Sequence, residues 1–436
     1  MLGLKLGLNL GSVLSAADAA WYTLGKADDT DPSFWADFAN DRYAVNGAEE
    51  AFSDIFTFTR STTGTYFDAN GVMQTAAINT PRFDHNPLTG EKLGLLIEEQ
   101  RTNLVTYSED LSMWAGTSAT TLTSNVATAP DGNTTADKIS DADTTTTFRR
   151  ANPAGLSVTS GVTYTVSCYV QAAGHNYFYI RTDHVAGTLQ NIAIDLTNGS
   201  ITRTPAGWTV SVQDCGGGWY RLIATAQTTA TAGRIIYASI SSVAVTSDGI
   251  SSYAGTVGSG VYVWGFQFEQ GAFATSYIPT TSTAVTRSAD TINSSATNTI
   301  PFADWYNIPT GGTIFTATDT LSVGSLFIGN TPSGEKWDTR NNSSTNVRSI
   351  IDHLSGSTGY TSLTVPDAYG RHKTASTNFL NSFIMCFDGV LSPFDGGGVI
   401  AEISSINLMK DVVGHIKEFR YYPIRVSNAS LQELTT

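Results

Sequence analysis

The sequence predicts a mainly β protein, with two β units behind an extended N-terminal arm. Three observations point that way. Charged residues make up only 14% of the 436, against about 25% in an ordinary soluble domain. Short β-branched and aromatic runs alternate with Gly, Asn, Asp and Pro clusters, the pattern of strands and turns. No self-similarity with a period of about 20–50 residues is visible, which argues against a solenoid or a propeller.

A formal net charge of −14 argues against binding of nucleic acid through phosphates, which needs clustered Lys and Arg. No apolar run approaches the roughly 18 residues of a membrane span, so no membrane insertion is expected. Cys168, Cys215 and Cys386 are too widely spaced for a disulfide framework or a zinc pattern. Buried free thiols in a chain assembled in reducing cytoplasm are expected instead. SAADAA at 15–20 mimics a leader-cleavage site, but Gly7, Asn9 and Gly11 interrupt the apolar stretch before it, so secretion by that route is not expected.

Residues 1–50 read as the arm. Leu2, Leu4, Leu6, Leu8 and Leu10 alternate with Gly3, Lys5, Gly7 and Asn9, giving a ribbon with one apolar face and one nearly bare face. Such a ribbon needs a sheet and a cover. One reading is an edge strand of its own sandwich. The preferred reading is attachment and oligomerisation, with the arm adding a strand to sister subunits or to another protein. Burying each leucine is worth about 1.5–3 kcal/mol before ordering costs. The remainder of the arm, through FWADFANDRY, has little periodicity, and Trp21, Phe34, Trp35 and Phe38 must find partners elsewhere.

Residues 51–100 are irregular to short-stranded, with a hairpin expected at Asn70-Gly71. From 101 to 289 the strands become regular. In TYTVSCYVQ (163–171), Val166, Cys168 and Val170 share one face; in NYFYIRTD (176–183), Phe178 and Ile180 do. NIAIDLTNGSI (191–201) reads as strand, Asn-Gly turn, strand, and further strands are expected at 219–228, 234–240 and 261–269. This spacing predicts a sandwich or barrel. A seam at 280–298 precedes a second β unit containing GTIFTATDT, SLFIGN, a hairpin around Asp388-Gly389, and GHIKEFRYY. Ser427 is placed to cap a short terminal helix.

Three passages carry a resemblance: EEQRTNLVTYSEDLSMW (98–114), DCGGGWYRLIATAQT (214–228) and GVYVWGFQFEQGAFATSYIPTTSTAVTRSAD (260–290). In that order they resemble the carbohydrate-binding-module-like sandwich of tailed-phage fibre and spike proteins, including the head spike fibres that gene transfer agents also carry. The likeness covers about 50–290. Residues 290–436 are similar to concanavalin-like (laminin-G-type) jelly rolls, which end in a strand and a short helix, although 343–363 does not match a jelly-roll strand. The fold class implied is mainly β, with two jelly-roll-like β-sandwiches behind an N-terminal extended attachment arm of residues 1–50.

Catalytic signatures such as H-E-x-x-H, G-x-S-x-G and G-x-x-x-x-G-K are absent, and the six histidines include no pair at ligand spacing. His175 reads as a turn residue rather than a base. No catalytic residue, metal ligand or cofactor is expected. Residues 131–143 (DGNTTADKISDAD) offer oxygen ligands to Ca2+, with a solvated loop as the competing reading.

Sugar recognition needs flat aromatic faces together with fixed polar groups. If Val166, Cys168, Val170, Phe178 and Ile180 face the core, then Tyr169, Gln171, Tyr177, Tyr179 and Arg181 share the opposite face. That face would meet either a sugar or a neighbouring subunit. Tyr262, Trp264, Phe266 and Phe268 alternate cleanly and are expected in the core, as is Trp114.

The resemblance implies a non-enzymatic virion-surface protein, a head spike fibre or tail fibre subunit assembled in the bacterial cytoplasm. Its expected partners are itself, in three or five copies, another virion protein through the arm, and host-surface polysaccharide. A capsule-cleaving depolymerase and a ligand-free structural decoration are the competing readings.

Overall fold

Hydrogen-bonded strand pairing organises the chain into two units, each a β-sandwich. The computed structural model describes residues 25–436, apart from 115, 153–155, 186, 230–231, 235, 296, 302–303, 307–311, 331–335, 353–357, 380–381, 394 and 396–404. The central unit comprises residues 58–291 and 413–415; the composite unit gathers the chain up to 57 with 292–412 and 416–436. Leu2, Leu4, Leu6, Leu8 and Leu10 lie outside the described residues.

The central unit packs two six-stranded antiparallel sheets. Its strands are β1 (Gly116–Ser118), β2 (Thr120–Ala127), β3 (Ala136–Asp141), β4 (Arg149–Asn152), β5 (Thr163–Ala173) and β6 (Tyr177–Thr182). They continue with β7 (Gln190–Asp195), β8 (Ser200–Arg203), β9 (Trp208–Asp214), β10 (Tyr220–Gln227), β11 (Ile236–Ser241) and β12 (Gly260–Gln270). One sheet runs β1-β4-β11-β6-β7-β8 and the other β2-β3-β12-β5-β10-β9. Alternation decides what lies between them. Val166, Cys168 and Val170 of β5 meet Phe178 and Ile180 of β6 in one apolar cluster with Ile192, Ile194, Leu222, Ile240 and Phe266.

The aromatic run of β12 does not stay on one face. Opposite β5 the pairing slips between Ser167 and Tyr169, where Tyr169 faces Trp264 and Ser167 faces Gln267. Gly265 is the extra residue, at φ +60°, so a bulge inverts the alternation there. Phe266 and Phe268 enter the inter-sheet core, while Trp264 points outward into a second cluster with Tyr169, Tyr277, Phe67, Met73 and Trp219. Trp114 meets the edge of Phe266 at 5.1 Å.

Glu98, Arg287 and Asp290, from 98–114 and 260–290, meet Arg60 and Arg82 in a buried ionic knot. Glu98 Oε2 accepts from Arg82 Nη1 at 2.7 Å and lies 2.6 Å from Arg287 Nη1. Asp290 pairs with Arg82 and, at 3.1 Å, with Arg60. Asn103 Nδ2 donates to the Phe266 and Ile278 carbonyls at 3.1 and 2.9 Å. These bonds tie the short-stranded 58–100 segment, including the hairpin of Gly64–Phe67 and Met73–Ala76, to the end of the unit.

The composite unit has one sheet through 42–45, 34–37, 414–422, 312–320, 370–379 and 382–387, and a second through 358–364, 346–352, 336–343, 324–330 and 405–410. Residues 34–50, expected within the N-terminal attachment arm, are part of this unit. Phe34–Asp37 pairs with both Arg42–Val45 and the strand Gly414–Tyr422. The cause is aromatic content: Phe34 stacks on Trp305 at 4.2 Å and meets Phe419 at 5.7 Å, while the Arg420 guanidinium lies 4.3 Å above Trp35.

The passage at 343–363 that matched no jelly-roll strand supplies Asn346–Asp352 and most of Thr358–Thr364. The terminal helix, Asn428–Thr435, is capped by Ser427 Oγ accepting from the Ser430 amide at 3.2 Å. Leu431 packs with Phe315, Ala375, Ile384 and Cys386.

Candidate functional site

The five residues expected on one sugar-facing surface lie in two places. β5 and β6 are consecutive in sequence but belong to opposite sheets. Side chains turned away from a shared core on opposite sheets point in opposite directions. Tyr169 and Gln171 therefore do not join Tyr177, Tyr179 and Arg181. Tyr169 is 1% exposed, sealed by Trp264 and Tyr277 at 5.4 and 6.4 Å. Gln171 Nε2 donates to the Gly217 carbonyl at 2.6 Å, bracing the GGG turn.

The β6 trio does share the outer face of its sheet. Tyr177, Tyr179 and Arg181 stand opposite Ser241, Ser239 and Tyr237 of β11, and Ser239 in turn stands opposite Arg150 of β4. Phe148, two residues before Arg150, joins this face, 6.3 Å from both Tyr179 and Tyr237. Phe148, Arg150, Tyr177 and Tyr237 are half-buried; Tyr179 and Arg181 are buried. The sequence held a usable signal: in FRRAN, residues 148, 150 and 152 alternate on one side, and Tyr237 alternates with Ile236 and Ala238 in a strand already expected.

The loop 242–252 straps the β7–β8 half of this face. Val245 packs on Tyr179 and Ala193. Asp248 grips Arg203 with both carboxylate oxygens, at 3.1 and 2.6 Å, and accepts from the Asn191 amide at 3.0 Å. Partial burial raises the Asp248 carboxyl, but the Arg203 and Asn191 bonds outweigh it and hold the group below its ordinary range. Arg181 Nη1 donates to Asn191 Oδ1 at 2.7 Å and to the Asp248 carbonyl at 2.8 Å. Arg181 thus anchors the strap rather than reaching outward.

On the β4–β11 half, the Arg150 guanidinium carbon lies 3.9 Å from the Tyr237 ring centre and 5.6 Å from that of Phe148. Tyr179 and Ser239 are fully buried beside it and face each other across β6 and β11. Burial pushes the Tyr179 phenol well above its ordinary pKa, so it remains a donor.

The remaining candidates are structural. His175 lies in the connection between β5 and β6, 3% exposed, with Nε2 2.8 Å from Asp141 Oδ2. Asp141 is also bonded by the Tyr253 hydroxyl at 2.7 Å and the Thr256 amide at 2.6 Å, and lies 2.9 Å from Arg149 Nε. The 131–143 segment does not form one ligand loop, because Ala136–Asp141 is strand β3. Its carboxylates diverge: Asp137 accepts from the Leu111 and Asn125 amides at 2.7 and 2.8 Å, while Asp143 meets Arg149 at 3.0 Å. Among the described residues no three His, Cys, Asp or Glu side chains group to hold a metal ion. Cys168, Cys215 and Cys386 are buried and free, and burial pushes the Cys215 thiol up to about 12.

No family model matches the chain, and no curated protein matches it. Among solved structures it is similar to domains LG4-5 of the mouse laminin α1 chain, at 8% identity and a TM-score of 0.21. That match covers 64% of this chain and 85% of the laminin chain.

Proposed function

We propose that this chain is a non-enzymatic virion-surface subunit, a head spike fibre or tail fibre of a tailed phage or gene transfer agent, that contacts host-surface polysaccharide. The observation that carries the reading is the outer face of the β6 sheet. Phe148, Tyr177 and Tyr237 present partly exposed rings there, interleaved with Arg150 and hydroxyl groups. Rings pack against the C–H faces of a sugar while fixed polar groups take its hydroxyls. The likeness of 98–114, 214–228 and 260–290 to phage fibre sandwiches supports the virion setting.

In this reading the subunit is assembled in the bacterial cytoplasm as a homo-oligomer of three or five copies. Leu2, Leu4, Leu6, Leu8 and Leu10 dock onto another virion protein. The test is binding of purified protein to host capsular polysaccharide, with chain length followed in parallel. Tyr177→Ala combined with Tyr237→Ala is expected to lower affinity at least tenfold at an unchanged melting temperature, with no shortening of the polysaccharide. Undiminished affinity would remove this face as the site, and shortened chains would establish a depolymerase instead.

A further inference from the structure

We propose that the β4–β11 half of this face selects carboxylate-bearing sugars, with Arg150 as the residue that reads the carboxylate. The inference rests on the polysaccharide-binding reading above and names its ligand class. Arg150 stacks on Tyr237 and flanks Phe148, so its plane is fixed by ring contacts. A guanidinium stacked by its face keeps its in-plane N–H fork available, and that fork matches a carboxylate in two parallel bonds.

Neighbouring arginines are committed within the protein. Arg149 serves Asp141 and Asp143, Arg181 serves Asn191 and the strap, and Arg203 serves Asp248. Among the described residues the Arg150 side chain makes no ion pair or hydrogen bond, only the two ring contacts.

Register places two further groups on the same row. Arg150 stands opposite Ser239, and Ser239 opposite Tyr179. Both side chains are fully buried and face each other, so they form the floor of the face and the Arg150 fork is the donor within reach of a ligand. A carboxylate offers about four acceptor sites, whereas a neutral hydroxymethyl group in its place offers a donor and weaker acceptors. The formal net charge of −14 does not oppose such a ligand at contact range, since charges beyond about 8–10 Å are screened at physiological salt.

The test is calorimetry of the full chain with hyaluronate, polygalacturonate and polysialate, each beside its carboxyl-reduced counterpart, and with dextran sulfate. At least one acidic form is expected to bind tenfold or more tightly than its reduced counterpart and than dextran sulfate. Arg150→Gln should abolish that difference while leaving affinity for the reduced form and the melting temperature unchanged. Arg150→Lys should retain part of it.

Equal affinity for both forms, discrimination that survives Arg150→Gln, or equally tight dextran sulfate would each overturn the inference. If the reduced forms still bind and respond to the Tyr177/Tyr237 double variant, the polysaccharide reading stands without it. Binding of none of the panel overturns the acidic-sugar inference, and failure of the host capsular polysaccharide to bind as well would remove the broader reading.

Discussion

Replacing Glu98 by Gln keeps the size of the side chain and removes one negative charge from the ionic knot of the central unit. Glu98 Oε2 lies 2.7 Å from Arg82 and 2.6 Å from Arg287, and it accepts from Ser276 Oγ at 2.6 Å. Oε1 accepts from the Ser276 amide at 2.6 Å. Both arginine side chains are essentially sealed, at 0% and 1% exposure. The variant leaves them facing a neutral amide whose NH2 group must find room among donors. Breaking a buried ion pair from one side costs about 3–5 kcal/mol.

The electrostatics of the site point to a loss of the same order. Burial raises the Glu98 carboxyl, but Arg287 and Arg82, with the Ser276 bonds, outweigh it and leave the group at about 2, against an ordinary 4.5. A drop of that size corresponds to roughly 3 kcal/mol. The folded value is depressed, so this stabilisation is fully present above pH 4.5 and is lost as pH falls towards 2. Urea denaturation at pH 7 and at pH 3, followed by tryptophan fluorescence, measures both effects. Because the chain has two units, the transition of the central unit is resolved separately rather than fitted as one step. Glu98→Gln is expected to lose about 3–4 kcal/mol at pH 7 and distinctly less at pH 3. A loss under about 1 kcal/mol at pH 7, or an equal loss at both pH values, would refute the knot as a source of stability.

Two further perturbations follow from the fold. Gly265→Ala forces an alanine to φ +60° and sets its Cβ 3.0 Å from the Tyr169 ring, so a loss of about 2 kcal/mol is expected; an unchanged denaturation midpoint would remove the bulge as a constraint. Asp28→Ala removes bonds to Ser427 Oγ at 2.8 Å and Ser430 Oγ at 2.6 Å, and should destabilise the terminal helix by about 1 kcal/mol. Faster amide exchange confined to 427–436 would register it, and unaltered exchange there would count against the contact.

What the sequence made legible follows the reach of its signals. Alternation has a range of one residue, so it correctly sent Val166, Cys168 and Val170 of β5 and Phe178 and Ile180 of β6 into one core. It says nothing about which sheet a strand joins, and that is why Tyr169 and Gln171 parted from Tyr177, Tyr179 and Arg181. The same rule failed inside β12 because one glycine at φ +60° reverses the period, and Gly265 in the middle of an aromatic run was the only local trace of it. Turn chemistry travelled well: the Asp388-Gly389 hairpin and the Ser427 cap are local devices, fixed by neighbours in the chain. Non-local partners were invisible, as with Phe34 and Trp305, which stack across 271 positions of sequence.

The placement of the motif residues bears on how far family likeness can reach. Glu98, Asn103, Tyr277, Arg287 and Asp290 come from the passages that resemble phage fibre sandwiches, and all five side chains are buried in bonds that lock chain segments together. A charge in such a position is constrained by its partners: exchanging Arg287 for an apolar residue removes one of the two arginines that Glu98 faces, and exchanging Asp290 removes the carboxylate that Arg60 and Arg82 share. The bonds these five residues make serve the fold and need no ligand to explain them. Phe148, Arg150, Tyr177 and Tyr237 belong to none of the three passages, and each can be replaced without orphaning a buried charge among the described residues. A sandwich built this way separates the residues that specify its architecture from those on the outer face of its β6 sheet. The proposed ligand class therefore rests on the β4–β11 face, on Arg150 and its rings, rather than on the resemblance.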